Sequence, residues 1–201
     1  MLIKNIKKTE KSNYNSNNYK NKLEKMDINR KTIYSLFKEL NLAKNIIKHV
    51  ELVSSISEKI AIEFTKQEIK VDIDLVIYGA LLHDIGRSKT HTIKHAIEGA
   101  IILKNRNYDK KIVRIVENHI GGGINMVEAK DLGLPIKDYT PKTLEEKIVS
   151  AADNLTLGDK RITLEKRVQY FNSKGLKKGA EKIELLHKEL SNLINLDLDE
   201  I

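Results

Sequence analysis

The sequence contains no cysteine, which removes disulfides, thiolate metal sites, cysteine nucleophiles and iron–sulfur clusters together. It has no tryptophan, three Phe and seven Tyr, too few aromatics for a base-stacking platform. Only two Pro occur in 201 residues, which suits long uninterrupted helices. No apolar run approaches the roughly 18 residues of a membrane span. The opening, MLIKNIKKTEKSN, has neither the apolar stretch nor the cleavage site of a signal peptide, so a cytoplasmic location is expected. No G-x-x-x-x-G-K-[ST] phosphate loop is present, and Gly121-Gly122-Gly123 follows a helical pattern rather than a strand, so it is no dinucleotide fingerprint.

What is present is charge, and its distribution matters. The formal net charge is +8, which by itself suggests a polyanionic partner. Residues 1–31 hold nine Lys/Arg against three Asp/Glu, while the remaining residues hold 27 against 25. The basicity therefore belongs to the leader, and the body is nearly balanced. Residues 1–29, rich in Lys and Asn, cannot bury enough apolar surface to offset the entropy of ordering. They are expected to form a flexible leader that catalysis does not need, with one folded domain over 30–201.

From about Arg30 the apolar residues recur at helical spacing. Ile33, Leu36, Phe37 and Leu40 share one face, and Ile46, Val50, Val53, Ile60 and Phe64 share another over about Ala43–Gln67. Asp72 or Asp74 can cap a helix through Leu75–Ile85 that stops at Gly86. Further helices are expected over about 93–105, 109–119, 125–132, 143–157, 163–171 and 176–196, with Thr143-x-x-Glu146 as a capping box. Alternating strand patterns are not evident. The fold class is all-α, a single helical bundle of roughly seven to nine helices.

Five of the six His lie between positions 49 and 119. His49 stands on an apolar face with Val53, Ile56 and Ile60, where a core histidine bonded to a carbonyl is the plain alternative. His83-Asp84 end the third helix, and a carboxylate at a helix C-terminus opposes the dipole, so Asp84 needs a cation nearby. Asp153 sits mid-helix among small and apolar neighbours, where it must be paired or metal-bound; Lys147 and Arg161 are the local pairing candidates. Bundles build metal sites from facing helices, and imidazole plus carboxylate suits a borderline divalent ion such as Mn, Fe, Co, Ni or Zn.

Leu81-Leu82-His83-Asp84-Ile85-Gly86, with His49 upstream and Ala151-Ala152-Asp153-Asn154-Leu155 downstream, resembles the HDIG signature and H…HD…D order of the HD-domain metal-dependent phosphohydrolases. The resemblance spans roughly Leu36–Glu165 and implies His49, His83, Asp84 and Asp153 as metal ligands. His95, in His95-Ala96-Ile97-Glu98-Gly99-Ala100, and His119, in Asn118-His119-Ile120-Gly121, look like the extra ligands of the binuclear branch. That branch includes dinucleoside tetraphosphate hydrolases and, more distantly, cyclic-dinucleotide phosphodiesterases. The Gly-Tyr-Pro element of the latter is absent, which argues against that activity. The wording of the segment is most similar to small stand-alone archaeal HD proteins.

The resemblance thus implies a hydrolase of a phosphate ester or anhydride in a small nucleotide-like substrate. The expected cofactor is one or two divalent ions per chain: Mn, Fe, Co, Ni, Zn or Mg. Asp84 is the natural bridging carboxylate, and Arg87 is the expected phosphate donor, with Lys89, Lys94 and Arg161 weaker candidates. His91 is four residues before His95, so an i,i+4 pair is available if the helix begins early enough. His187, among Lys and Glu, is expected at the surface. The Gly121–Gly123 run reads as a helix terminator or as a flexible lip beside His119. The rival class is a non-catalytic scaffold binding nucleotide or RNA through the basic leader.

Overall fold

The computed structural model describes residues 30–201. The leader expected over 1–29 lies outside the described residues. Nine α-helices follow one another among the described residues: α1 over 30–39, α2 Lys44–Lys66, α3 Ile73–Leu82, α4 His95–Lys104, α5 Lys110–Asn118, α6 Met126–Asp131, α7 Leu144–Asn154, α8 Leu164–Ser173 and α9 Lys177–Ile194. The all-α expectation therefore holds. One detail corrects it: Thr156–Leu157 (β1) and Lys160–Arg161 (β2) form a two-residue antiparallel hairpin, too short to leave an alternating pattern in the sequence. Among the described residues no helix is long and apolar enough to cross a membrane.

The centre of the bundle is α3. Every residue from Val76 to Leu82 is buried, because α2, α5 and α7 pack around it on different sides. A helix enclosed this way is apolar all round rather than striped. Two core clusters meet across it. One joins Val53, Ile60 and Phe64 of α2 to Ile148, Ala152, Leu186 and Leu190. The other joins Phe37 and Val50 to Leu81, Ile85, Leu103 and Val116. Each fully buried Leu, Ile or Phe contributes about 1.5–3 kcal/mol relative to exposure.

Local chemistry sets the ends. Asp72, Asp109, Thr143 and Thr163 each accept a backbone N–H of the following first turn. α3 is shorter than expected, stopping at Leu82 before a 3-10 turn over Ile85–Ser88. The Thr143–Glu146 capping box is only half formed. Thr143 accepts from Glu146 N, but the Glu146 carboxylate turns away, toward Arg114 Nε (2.9 Å), Asn118 Nδ2 (3.0 Å) and Lys142 N (2.9 Å). The complete capping box belongs to Asn125 and Glu128, which open α6.

Glu146 is buried and ties α7 to the end of α5, beside His119. Burial alone would raise its carboxyl; the hydrogen bonds from Arg114, the Lys142 N–H and Asn118 together outweigh this and hold it below its ordinary value. A depressed folded value stabilises the fold above the unfolded carboxyl range and is lost as pH falls through the folded value. Glu146→Gln is therefore expected to lower stability at pH 7 by about 1–3 kcal/mol. It should also flatten the acid side of the stability profile, as read by denaturant melts at pH 7 and pH 4.

His187 is not at the surface. It is 4% exposed, and its Nε2 lies 2.7 Å from Asp197 Oδ1. After α9 the left-handed Asn195 (φ 52) turns the chain back. Leu198 then enters the core, and Asp199 accepts the Leu164 N–H at the start of α8. The tail over 195–201 covers His187, which no local pattern around position 187 reveals.

Candidate metal centre

Six of the residues singled out in the sequence converge on one point. His49 comes from α2, His83 from the C-cap of α3 and Asp84 from the following residue. His95 opens α4, His119 closes α5 and Asp153 lies in the last turn of α7. Asp84 is the hub. Its Oδ2 is 3.6 Å from His49 Nε2 and 3.8 Å from His83 Nε2. Its Oδ1 is 3.0 Å from His95 Nε2 and 3.7 Å from His119 Nε2. Asp153 Oδ1 stands 3.1 Å from His49 Nε2 and 3.7 Å from His83 Nε2.

The tautomers follow from the other ring nitrogens. Nδ1 of His49, His83, His95 and His119 lies 2.7–2.8 Å from the carbonyls of Gly158, Ala80, Thr92 and Val116. A carbonyl only accepts, so each Nδ1 carries the proton and each neutral ring presents a bare lone pair at Nε2. Those lone pairs face one another: His49 and His83 Nε2 are 3.3 Å apart, His95 and His119 Nε2 3.1 Å. Lone pairs and carboxylates gathered this closely repel unless a cation sits between them. Ligands of one ion, each at about 2.0–2.2 Å, stand roughly 3.0–3.5 Å from one another, which these spacings approach. Two sets of donors, His49–His83–Asp153 and His83–Asp84–His119, lie close enough to share an ion. The N/O donor set fits a divalent metal.

Burial, followed by the charges of His83 and His95, pushes His119 down to about 3, and burial likewise lowers His83. Both rings stay neutral. Burial opposes ionisation of Asp84, yet the imidazoles around it hold its carboxyl well below the usual range. Asp153 behaves alike: burial raises it, and the neighbouring imidazoles, His49 foremost with His83 and His119, together outweigh that. For His49, burial lowers and Asp153 raises, the net being upward.

The centre is closed on the His95–His119 side and opens past His49, Asp153 and Arg87 into a cavity of about 350 Å³. Arg87 lines it, with Nε donating to Asp84 Oδ2 at 2.5 Å. Asp84 thus has the cation its position demanded. Neither pairing candidate meets Asp153. Lys147 bonds Glu189, and Arg161 donates to the carbonyls of Leu198 and Asp199. Lys89 and Lys94 are exposed and do not line the cavity. His91 is also exposed and stays out of the cluster, because α4 begins only at His95 and no helical i,i+4 pair forms.

The Gly121–Gly123 run is a packed wall, not a loose lip. A Cβ on Gly122 would come within 2.5 Å of the Lys182 backbone in α9. The Gly121 carbonyl accepts from Ser150 Oγ and Asn154 Nδ2. Sequence reading missed Arg167, which lines the cavity from α8. Its local pattern is that of an outer helix with no buried residue, so nothing nearby marks it.

Comparison with known proteins places this geometry in a family. The model described as HD domain matches residues 46–158, a span holding all six clustered residues. A tRNA (cytidine(56)-2'-O)-methyltransferase of Picrophilus torridus is 49% identical over 166 residues, covering 83% of this chain and 47% of that protein. An uncharacterized protein of Methanocaldococcus jannaschii is 43% identical over 162 residues, covering 80% of this chain and 95% of the other. Among solved structures, the HD domain of the L. monocytogenes phosphodiesterase PgpH in complex with cyclic-di-AMP is similar at TM-score 0.48 and 19% identity, over 80% of this chain and 93% of that one. The chain spans about half the length of the methyltransferase it matches. With its His and Asp cluster inside the matched span, this chain belongs to the HD domain family.

Proposed function

We propose that residues 30–201 form a metal-dependent phosphohydrolase acting on a phosphate ester or anhydride of a small nucleotide-like substrate. The observation that carries this reading is the set of bare imidazole Nε2 atoms and two carboxylates facing one another around Asp84. His49, His83, Asp84 and Asp153 would hold one ion, and Asp84, His95 and His119 a second. When bound, a divalent ion supplies Lewis acidity and lowers the pKa of a water molecule toward neutrality. Asp84 turns one oxygen to each set and so fixes the spacing between them. Arg87, at the cavity rim, supplies a planar donor for a substrate phosphate. The nearly balanced body favours a small substrate, since a surface gripping several phosphates of a polymer carries a stronger positive excess.

A second reading has one observation in its favour: the Picrophilus torridus relative is named for a reaction on tRNA. In that reading the phosphate belongs to RNA, or the domain binds RNA without turnover.

Both are tested by one assay. Chelator-treated full chain, and a chain starting at Arg30, are supplied with Mn²⁺, Fe²⁺, Co²⁺, Ni²⁺, Zn²⁺ or Mg²⁺ in turn. Each is offered phosphomonoesters, dinucleotides, cyclic phosphates and short RNA. Metal-restored release of phosphate or nucleotide from small substrates, by both chains, is the expected result. Arg87→Ala should raise KM or slow turnover by roughly tenfold, not abolish it. Cleavage of RNA alone favours the second reading. Metal-independent release, or none from metal-replete protein, rejects hydrolysis by this centre.

A further inference from the structure

Arg167 is partly buried where three elements of the site meet. Its Nε donates to Asn154 O at 2.8 Å, and its Nη2 donates to Asp153 O at 3.2 Å and to Thr156 O. Asp153 and Asn154 are the last residues of α7, where carbonyls lose their i+4 N–H partners, although a backbone N–H at the helix C-cap still reaches the Asp153 carbonyl. A guanidinium there satisfies them and complements the negative end of the helix. Its planar fork suits several acceptors at once, and it also lies 5.9 Å from the centre of the Phe171 ring.

Those carbonyls belong to a short stretch on which two proposed ligands depend. Asp153 itself projects its carboxylate at His49 and His83. Thr156 Oγ1 donates to Asp153 O at 2.9 Å and begins the hairpin. At the hairpin turn, the Gly158 carbonyl accepts from His49 Nδ1 and thereby fixes the direction of Nε2. One side chain therefore joins the end of the helix bearing Asp153 to the strand that orients His49.

We propose that Arg167 is a positioning residue for the metal centre, its guanidinium setting the angle of Asp153 and, through the hairpin, of His49. This rests on the reading that the clustered His and Asp hold a divalent ion.

The test uses the full chain, with Co²⁺ alone as the probe. Calorimetry gives affinity, the visible Co²⁺ absorption reports ligand geometry, and thermal melts report stability. Arg167→Gln and Arg167→Lys are compared with Arg106→Ala. Arg106 makes a similar contact to the Ile102 carbonyl and an ion pair with Glu39, neither at the cluster. Arg167→Gln is expected to weaken Co²⁺ binding about 10–100-fold and to alter the absorption spectrum. Arg167→Lys, which keeps the charge but not the fork, should fall between that variant and the unaltered protein. Arg106→Ala should leave affinity within about twofold whatever its effect on the melt. If Arg167→Gln does not fold, Arg167→Lys decides alone. Unchanged affinity and spectrum in the Arg167 variants overturn the proposal, as does an equal loss in Arg106→Ala. Failure of the unaltered protein to bind Co²⁺ overturns the metal reading itself, and the proposal with it.

Discussion

Asp84→Ala is expected to lower turnover at least about a thousandfold and to remove bound metal from one or both positions. The reason is geometric. The two oxygens of Asp84 face different histidine pairs, Oδ2 toward His49 and His83, Oδ1 toward His95 and His119. Loss of either neighbour harms one set, whereas loss of Asp84 harms both. Asp84→Asn, close in shape but uncharged, should fall nearly as far, which separates charge from packing. The melt of the metal-free protein should move little or rise. A buried carboxylate among lone pairs, with Arg87 as its one charged Lys/Arg partner among the described residues, is a poor source of stability. Measured together, metal content, turnover and the metal-free melt give a sharp check. Half or more of the original turnover with full metal content in Asp84→Ala would sink the centre.

Gly86→Ala is expected to be among the most damaging single substitutions in the protein. A Cβ there would lie 1.9 Å from the His95 carbonyl oxygen and 2.4 Å from the Gly99 nitrogen. Both neighbours are backbone, so no side chain can swing aside. The 3-10 turn carrying Arg87 must then lift off α4, separating Asp84 from His95. The expected cost is about 4 kcal/mol or more, within the range of severe packing defects. Circular dichroism melts of the variant should show a lowered midpoint or no cooperative transition. A variant melting within a few degrees of the unaltered protein would mean that α4 and the turn separate more easily than their contact implies.

How far the site was legible depends on the kind of residue. The proposed ligands were legible because their chemistry conflicts with their surroundings. A carboxylate at the end of a helix, as at Asp84, calls for a cation, and one among Ala151, Ala152 and Leu155, as at Asp153, requires a partner that its local sequence does not provide. Arg167 gave no such signal, since an arginine on an outer helix needs no explanation. The two arginines are only six positions apart, yet one holds the end of α7 and the other the chain's tail. Charge and proximity in sequence suggested Arg161; the direction of α8 selected Arg167.

By itself the sequence determined the helical class, the main caps and the order of the proposed ligands. Those follow from the 3.6-residue period, from short polar side chains at helix starts and from a few residues whose polarity demands company. Tertiary structure decided which polar groups found which company. It buried His187 beneath a tail that folds back from position 195, and it left His91 outside because α4 starts at His95. It packed Gly122 against α9 and turned Glu146 from its own helix cap toward Arg114. It also turned the two oxygens of Asp84 to opposite histidine pairs. Each of these depends on atoms brought together from distant parts of the chain. A local pattern specifies what a residue requires, and only the packed fold specifies which group meets that requirement.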